Sequence, residues 1–69
     1  MSNTKAQLIV DQMNPIIRRS KNFICKLDMD YDNQEIILMN CFNAILFRVH
    51  YPEKNVAEVL YDIVDFIRG

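Results

Sequence analysis

Three side chains of this sequence could act as a nucleophile, a base or a metal ligand: Cys25, Cys41 and His50. A Cys–His nucleophile pair needs its thiol and imidazole within hydrogen-bond reach. Cys41 and His50 lie at opposite ends of the third predicted strand, which separates them by roughly 25–30 Å at about 3.3 Å per residue. Two cysteines and one histidine are also too few for a closed tetrahedral zinc site. We therefore predict no catalytic residue, no metal site and no cofactor.

Acidic residues of the last predicted helix give a clearer functional signal. Three of them recur at positions i, i+4 and i+7, with a tyrosine beside them: Glu58, Asp62, Asp65 and Tyr61. Like charges at this spacing destabilise a helix by on the order of a few tenths of a kcal/mol per pair. The stripe predicts a binding surface for a basic protein partner, and the alternative is an ordinary solvated face.

Basic residues gather before the first predicted strand, at Arg18, Arg19 and Lys21. Such a cluster could contact phosphate groups. An RNA-binding sheet would also need aromatic residues on its exposed face, whereas Phe47 and Tyr51 fall on the predicted inner face. Nucleic-acid binding is therefore the alternative function and not the favoured one.

Apolar residues on the predicted outer face of the sheet are the third candidate surface, at Ile24, Ile37, Met39 and Leu46. A contiguous exposed apolar patch marks an interface. A domain of this size buries only about 60% of its unfolded surface, so oligomerisation would enlarge its core. We expect a homodimer through these residues, unless one helix covers each face of the sheet.

The first element that must position these residues is a helix. Apolar residues recur at helical spacing through Asn3–Met13, and Asn3 or Thr4 could cap its start. Pro15 conflicts with a helix interior. The pattern thus predicts a helix that ends near Met13, followed by a helical turn through Arg18.

From Asn22 the apolar period changes to two, which predicts a strand to Tyr31. Asp32–Asn33 is a favourable hairpin turn and leads into a second strand, Glu35–Asn40. The turn places these apolar pairs opposite each other: Met29 with Ile36, and Leu27 with Leu38. The same register sets Cys25 opposite Asn40.

A third strand is predicted at about Ala44–Tyr51. A turn centred on Cys41–Phe42 gives these pairs: Leu38 with Ile45, Ile36 with Phe47, and Glu35 with Arg48 as a cross-strand ion pair. Cys–Phe is poor turn chemistry, so a longer loop formed by Asn40 and Asn43 is the alternative.

Pro52 ends this strand, and Asn55 followed by Glu58 has capping-box spacing for a last helix. Gly69 suits its C-terminal cap. The helix carries a broad predicted core stripe: Val56, Val59, Leu60, Ile63, Val64, Phe66 and Ile67. The fold class is α+β, helix–β–β–β–helix, with a three-stranded antiparallel meander packed with two helices.

Composition and length narrow the class of protein. The 69 residues form one domain, 1–69, with 51% hydrophobic and 25% charged residues and a net charge of -1, a balance typical of globular proteins. No apolar h-region follows Met1–Thr4, and no apolar run reaches roughly 18 residues, so we expect neither a signal peptide nor a membrane span. The cysteine usage predicts a reduced, cytoplasmic protein.

These features predict a non-enzymatic protein-interaction module, either an inhibitor or a regulatory adaptor. In element order the chain is similar to some compact phage anti-CRISPR proteins, which place an acidic surface against a nucleic-acid-binding enzyme. The resemblance covers the layout of the elements alone and assigns no site residue. It implies a phage or mobile-element accessory protein that acts on a host nucleic-acid-binding protein.

Overall fold

Two helices and three strands make up the computed structural model, which describes residues 1–18 and 24–68 without the side chains of Arg18, Ile24 and Cys25. The elements are α1 (Asn3–Arg18), β1 (Ile24–Asp30), β2 (Glu35–Asn40), β3 (Ile45–His50) and α2 (Val56–Arg68). The strands form one antiparallel sheet in the order β1-β2-β3. The predicted α+β class and element order are confirmed.

The first hairpin has the predicted pairing over most of its length. Leu27 opposes Leu38 and Met29 opposes Ile36, as predicted, although the turn covers residues 31–34 and its left-handed residue is Gln34, with φ of 54°. The register shifts between Ile24 and Lys26, so that Asn40 faces Ile24 and the predicted pairing with Cys25 is wrong. A bulge of this kind adds one residue to a strand and displaces every pair beyond it.

The predicted register of the second hairpin is wrong by two residues, because its loop covers residues 41–44 and not Cys41–Phe42 alone. Phe47 opposes Leu38, and Val49 opposes Ile36. A shift of two keeps each side chain on its face of the sheet, so the inner face stays apolar. Ile45 is the exception, because a further bulge pairs it with Met39 and leaves it 44% exposed.

Helix α1 runs through Pro15 as one helix, so its predicted end near Met13 is wrong. Pro15 lies in the last turn and removes a single helical hydrogen bond there. The N-cap is Ser2, and not Asn3 or Thr4, because the Ser2 hydroxyl accepts from the Lys5 N–H at 3.3 Å.

Asn14 fastens this helix to the edge of the sheet. Its Oδ1 accepts from the Leu27 N–H at 2.7 Å, and its Nδ2 donates to the Leu27 carbonyl at 3.1 Å. Leu27 lies on an edge strand, whose outward backbone groups would otherwise face solvent or another chain. The Asn14 amide therefore takes the place of a neighbouring strand at this position.

One hydrophobic core lies between the inner face of the sheet and both helices. Its buried residues come from α1, the sheet and its exit, and α2: Ala6, Ile9, Val10, Ile17, Leu27, Ile36, Leu38, Val49, Tyr51, Val59 and Ile63. Both helices thus pack on the same face. The opposite, outer face carries none of the buried residues that the structure describes.

The start of the chain is tied to the connection between β3 and α2. The Met1 ammonium donates to the carbonyls of Tyr51, Pro52 and Lys54 at 3.1, 2.9 and 2.9 Å. The hydroxyl of the buried Tyr51 donates to Asn3 Oδ1. These contacts fix α1 beside the turn from which α2 starts.

Alkaline pH should destabilise the fold through Tyr51. Burial raises the pKa of Tyr51 above its ordinary value of 10.0, and the nearby charges of Tyr31 and Asp30 add to the shift. Because the folded protein keeps this phenol protonated to higher pH than the unfolded chain does, its contribution to stability is complete below pH 10.0 and is lost as pH rises through the folded pKa. Tyr51→Phe should flatten this alkaline decline in urea unfolding, whereas Tyr61→Phe, at an exposed site, should leave it in place. Equal declines in Tyr51→Phe and wild type would contradict the assignment.

Candidate docking surface on the last helix

The solvent side of α2 carries an open, shallow apolar depression, called the α2 groove below, whose lining comes from this helix alone. It has a volume of about 290 Å³ and is lined by Ala57, Leu60, Tyr61 and Val64. The Tyr61 side chain is 71% exposed, and Val64 is also exposed.

Only Val59 and Ile63 of this helix are fully buried, so the predicted core stripe is too broad at Val56, Val64 and Phe66. The stacking of Phe66 on Phe47, with ring centroids 4.7 Å apart, marks the flank of α2 that contacts β3.

The predicted acidic stripe lies on the neighbouring flank of the same helix. At 100° per residue, Glu58, Asp62 and Asp65 fall on the flank away from Ala57 and Leu60, and Tyr61 separates the two flanks. Residues 53–68 contain four acidic side chains and two basic ones, Lys54 and Arg68, a net charge of −2. The helix therefore combines a strip of apolar surface with a negatively charged border.

Two of the stripe's acids also make contacts that stabilise the fold. Glu58 completes the predicted capping box: its Oε1 accepts from the Asn55 N–H at 3.2 Å, and its N–H donates to Asn55 Oδ1 at 2.9 Å. Asp62 forms an ion pair with Lys54. Within residues 1–18 and 24–68, Asp65 has no ion-pair partner. Lysine at positions 58 and 62 would remove these contacts, so it should destabilise the fold although it also relieves the repulsion within the stripe.

The outer face of the sheet carries apolar side chains of β2 and β3 beside Lys26 and Asp28 of β1, which oppose Met39 and Ile37, and it has a charged end at the first hairpin. Ile37 and Met39 are half-buried, and Leu46 is 37% exposed; the side chain of Ile24 lies outside the described residues. At the charged end Arg48 Nη1 lies 3.2 Å from Glu35 Oε1, which confirms the predicted ion pair, and 3.5 Å from Asp30 Oδ2. Because Arg48 opposes Ile37, the pair with Glu35 runs diagonally across the strands.

Asp30 is the best-anchored carboxylate of this charged end. The side-chain amide of Asn33 donates to it at 2.9 Å and the Asn33 backbone N–H at 3.3 Å. These two bonds, with a smaller contribution from Arg48, lower the pKa of Asp30 below its ordinary value. The carboxylate stays ionised and holds Arg48 in place at neutral pH.

The remaining sequence candidates are placed apart or are not described. Cys41 is an exposed free thiol in the second hairpin loop, and His50 ends β3 at the opposite end of the sheet, 3.2 Å from the Asn33 carbonyl. Among the described residues, no group of three His, Cys, Asp or Glu is placed to hold a metal ion. Arg19, Lys21 and the side chain of Arg18, the predicted phosphate contacts, lie outside the described residues. In the part of the chain that the structure covers, no helix is long and apolar enough to cross a membrane.

Sequence reasoning missed the groove beside the acidic stripe. The signal for it was the width of the apolar pattern of α2, since a helix that packs on one sheet buries a narrower stripe than seven residues in thirteen.

Comparison of the chain with protein-family models, curated proteins and solved structures finds no match.

Proposed function

We propose that this protein is a non-enzymatic interaction module that binds a basic, amphipathic helical segment of another protein along α2. The observation that carries the proposal is the apolar groove at Tyr61 bordered by Glu58 and Asp65. Helix-in-groove recognition places apolar residues of one helix into a groove of its partner and pairs charges along the border. The surface of α2 offers both parts.

The two parts of this surface have different energetic roles. Burial of Tyr61 and its apolar neighbours supplies affinity, at about 1.5–3 kcal/mol for each large side chain that becomes fully buried. The exposed carboxylates steer a basic partner and fix its register, and each contact is worth only about 0.2–1 kcal/mol. A segment that normally holds nucleic acid has the required positive charge, so an inhibitor or regulatory adaptor of a nucleic-acid-binding protein is the role that we favour.

A synthetic 18-residue peptide of leucine and lysine, with leucines at helical spacing, tests this proposal. Glu58→Gln with Asp65→Asn removes two charges and keeps the capping box, because glutamine can accept the same hydrogen bond. We expect this double variant to weaken binding about three- to tenfold at low salt and less at high salt. Tyr61→Ser should weaken it about tenfold or more at either salt concentration. Fluorescence anisotropy of labelled peptide measures both effects.

The matched control is Asp11→Asn with Asp32→Asn, which changes the net charge equally at exposed positions away from α2. Its affinity should equal that of wild type within a factor of two at moderate salt. A peptide of the same composition with scrambled leucines should bind weakly, because it lacks an apolar face. Equal weakening by both double variants would mean that only net charge attracts the peptide and would reject the proposal.

A further inference from the structure

We infer that an open cleft between α1 and the first hairpin binds a guanidinium group carried on an aliphatic stem. This cleft, called the α1 cleft below, has a volume of about 410 Å³ and is lined by Asn3, Thr4, Gln7, Leu8, Asp11 and Tyr31. The volume lies within the range of about 300–1,000 Å³ that is typical of small-ligand sites. The α1 cleft shares no residue with the α2 groove and needs no part of the function proposed above.

A chain of hydrogen bonds fixes the polar side chains of the α1 cleft. The Tyr31 hydroxyl donates to Gln7 Oε1, and Gln7 Nε2 donates to Asp11 Oδ1 at 2.9 Å. These bonds join the hairpin to α1 and hold the Tyr31 ring and the Asp11 carboxylate at the same cleft. Groups that are held in place before binding lose little conformational entropy when a ligand binds. The cleft is therefore preorganised at these two residues.

The Asp11 carboxylate lacks a cation. Its Oδ2 accepts no hydrogen bond from the described residues, and none of the lysines and arginines whose side chains the structure describes forms an ion pair with it. Lys5, on the same helix, lies about 120° around the axis from Asp11, on the far side of Leu8. Asp32 follows Tyr31 in the hairpin turn and adds a second negative charge. The charge of the cleft thus favours a cationic ligand.

Tyr31 and Leu8 favour a guanidinium group over an ammonium group. Their side chains are 52% and 54% exposed, so they offer an aromatic ring and an aliphatic surface to a ligand of Asp11. Guanidinium is planar and weakly hydrated, stacks on aromatic rings and pairs with a carboxylate through two parallel N–H groups. An ammonium group is a strongly hydrated point charge and does not stack. The ligand class is therefore an alkylguanidinium, which either a small molecule or an arginine side chain of another protein can supply.

NMR titration of the full chain with n-butylguanidinium tests this inference. We expect saturable shift changes at the amides of Gln7, Leu8, Asp11 and Tyr31, with a dissociation constant of about 1–10 mM for so small a contact. n-Butylammonium has the same charge and stem and should bind at least about threefold more weakly.

A second probe, N-acetylarginine methylamide, distinguishes the two sources of the ligand because it presents the guanidinium as a protein does. Binding as tight as that of n-butylguanidinium or tighter assigns an arginine side chain as the ligand. Binding that is weaker by about threefold or more assigns a small molecule, because the added peptide groups then interfere with access to the cleft.

Two variants test the residues of the α1 cleft. Asp11→Asn removes the charge and keeps the acceptor for Gln7, and Tyr31→Leu removes the ring and keeps an apolar side chain. Each should weaken the binding of n-butylguanidinium about two- to fivefold. Asp28→Asn removes the same charge from an exposed position on the outer face of the sheet. It is the matched control and should bind as wild type does.

Urea unfolding of each variant shows whether it is folded under the conditions of the titration. Asp11→Asn should be as stable as wild type, because the side chain is exposed and its hydrogen bond is kept. The inference would be overturned if n-butylguanidinium caused no saturable shifts at the α1 cleft or if n-butylammonium bound equally well. Wild-type affinity in Asp11→Asn, or equal weakening by Asp28→Asn, would overturn it too.

Discussion

Replacement of Asn14 by alanine is expected to lower the free energy of unfolding by about 2–4 kcal/mol, because two partly buried backbone groups lose their partner. The Leu27 N–H and carbonyl both bond to this one amide. Because small domains are stabilised by only about 5 kcal/mol or slightly more, the variant should keep about 1–3 kcal/mol and should unfold at a much lower urea concentration than wild type. Urea unfolding followed by circular dichroism measures the loss.

Two further variants distinguish the loss of the Asn14–Leu27 hydrogen bonds from a general loss of helix stability. Gln12→Ala changes an exposed residue of the same helix and should shift the free energy of unfolding by less than about 0.5 kcal/mol. Asn14→Asp keeps an acceptor for the Leu27 N–H but sets an oxygen against the Leu27 carbonyl, so it should be destabilised although it is isosteric. An Asn14→Asp variant as stable as wild type would show that the clamp on Leu27 is unimportant.

Acetylation of the Met1 amine should be the second large effect, with a loss of about 2–3 kcal/mol of unfolding free energy, since hydrogen bonds from charged donors contribute more than neutral ones. The ammonium donates to three carbonyls of residues 51–54, whereas an acetylated nitrogen has one N–H and no charge. The chain of 69 residues is short enough for chemical synthesis with either terminus.

The synthetic chain with a free amine is the reference for this comparison. Lys5, an exposed residue on α1, provides the matched control. Acetylation of its side chain alone removes the same charge and leaves the three hydrogen bonds of the Met1 ammonium in place. Equal stability of the two N-terminal forms would contradict the described contacts of Met1.

The first hairpin could be predicted from sequence because alternation and turn chemistry agree. A turn centred on Asp32–Asn33 sets Met29 opposite Ile36, as observed, although the left-handed residue of the turn is Gln34. The second hairpin has the same alternation but no such turn residues at Cys41–Phe42. Its loop length depends on the Asn40 side chain and on the left-handed Asn43. Alternation alone cannot distinguish registers that differ by two.

The candidate surface on α2 was predictable only in part. Spacing is enough to predict the capping box of Asn55 and Glu58, because its bonds are local. The ion pair of Asp62 with Lys54 depends on the path of the chain before the helix. The spacing of residue types along the sequence does not predict that path. The groove at Tyr61 depends on which part of a broad apolar pattern meets the sheet, and that is decided by the packing of both helices on one face. The Asn14 clamp is likewise a contact between two elements.

Amide-resolved NMR titration with the leucine–lysine peptide tests the central claim most directly, because it locates the binding surface instead of measuring affinity alone. We predict shift changes concentrated at residues 56–65, centred on Tyr61, with the outer face of the sheet unchanged. Shift changes confined to the sheet, to the hairpin loop at Phe42 or to the Arg18–Lys21 segment would contradict it. A peptide of leucine and glutamate that causes the same saturable shift changes in α2 would also contradict the proposal.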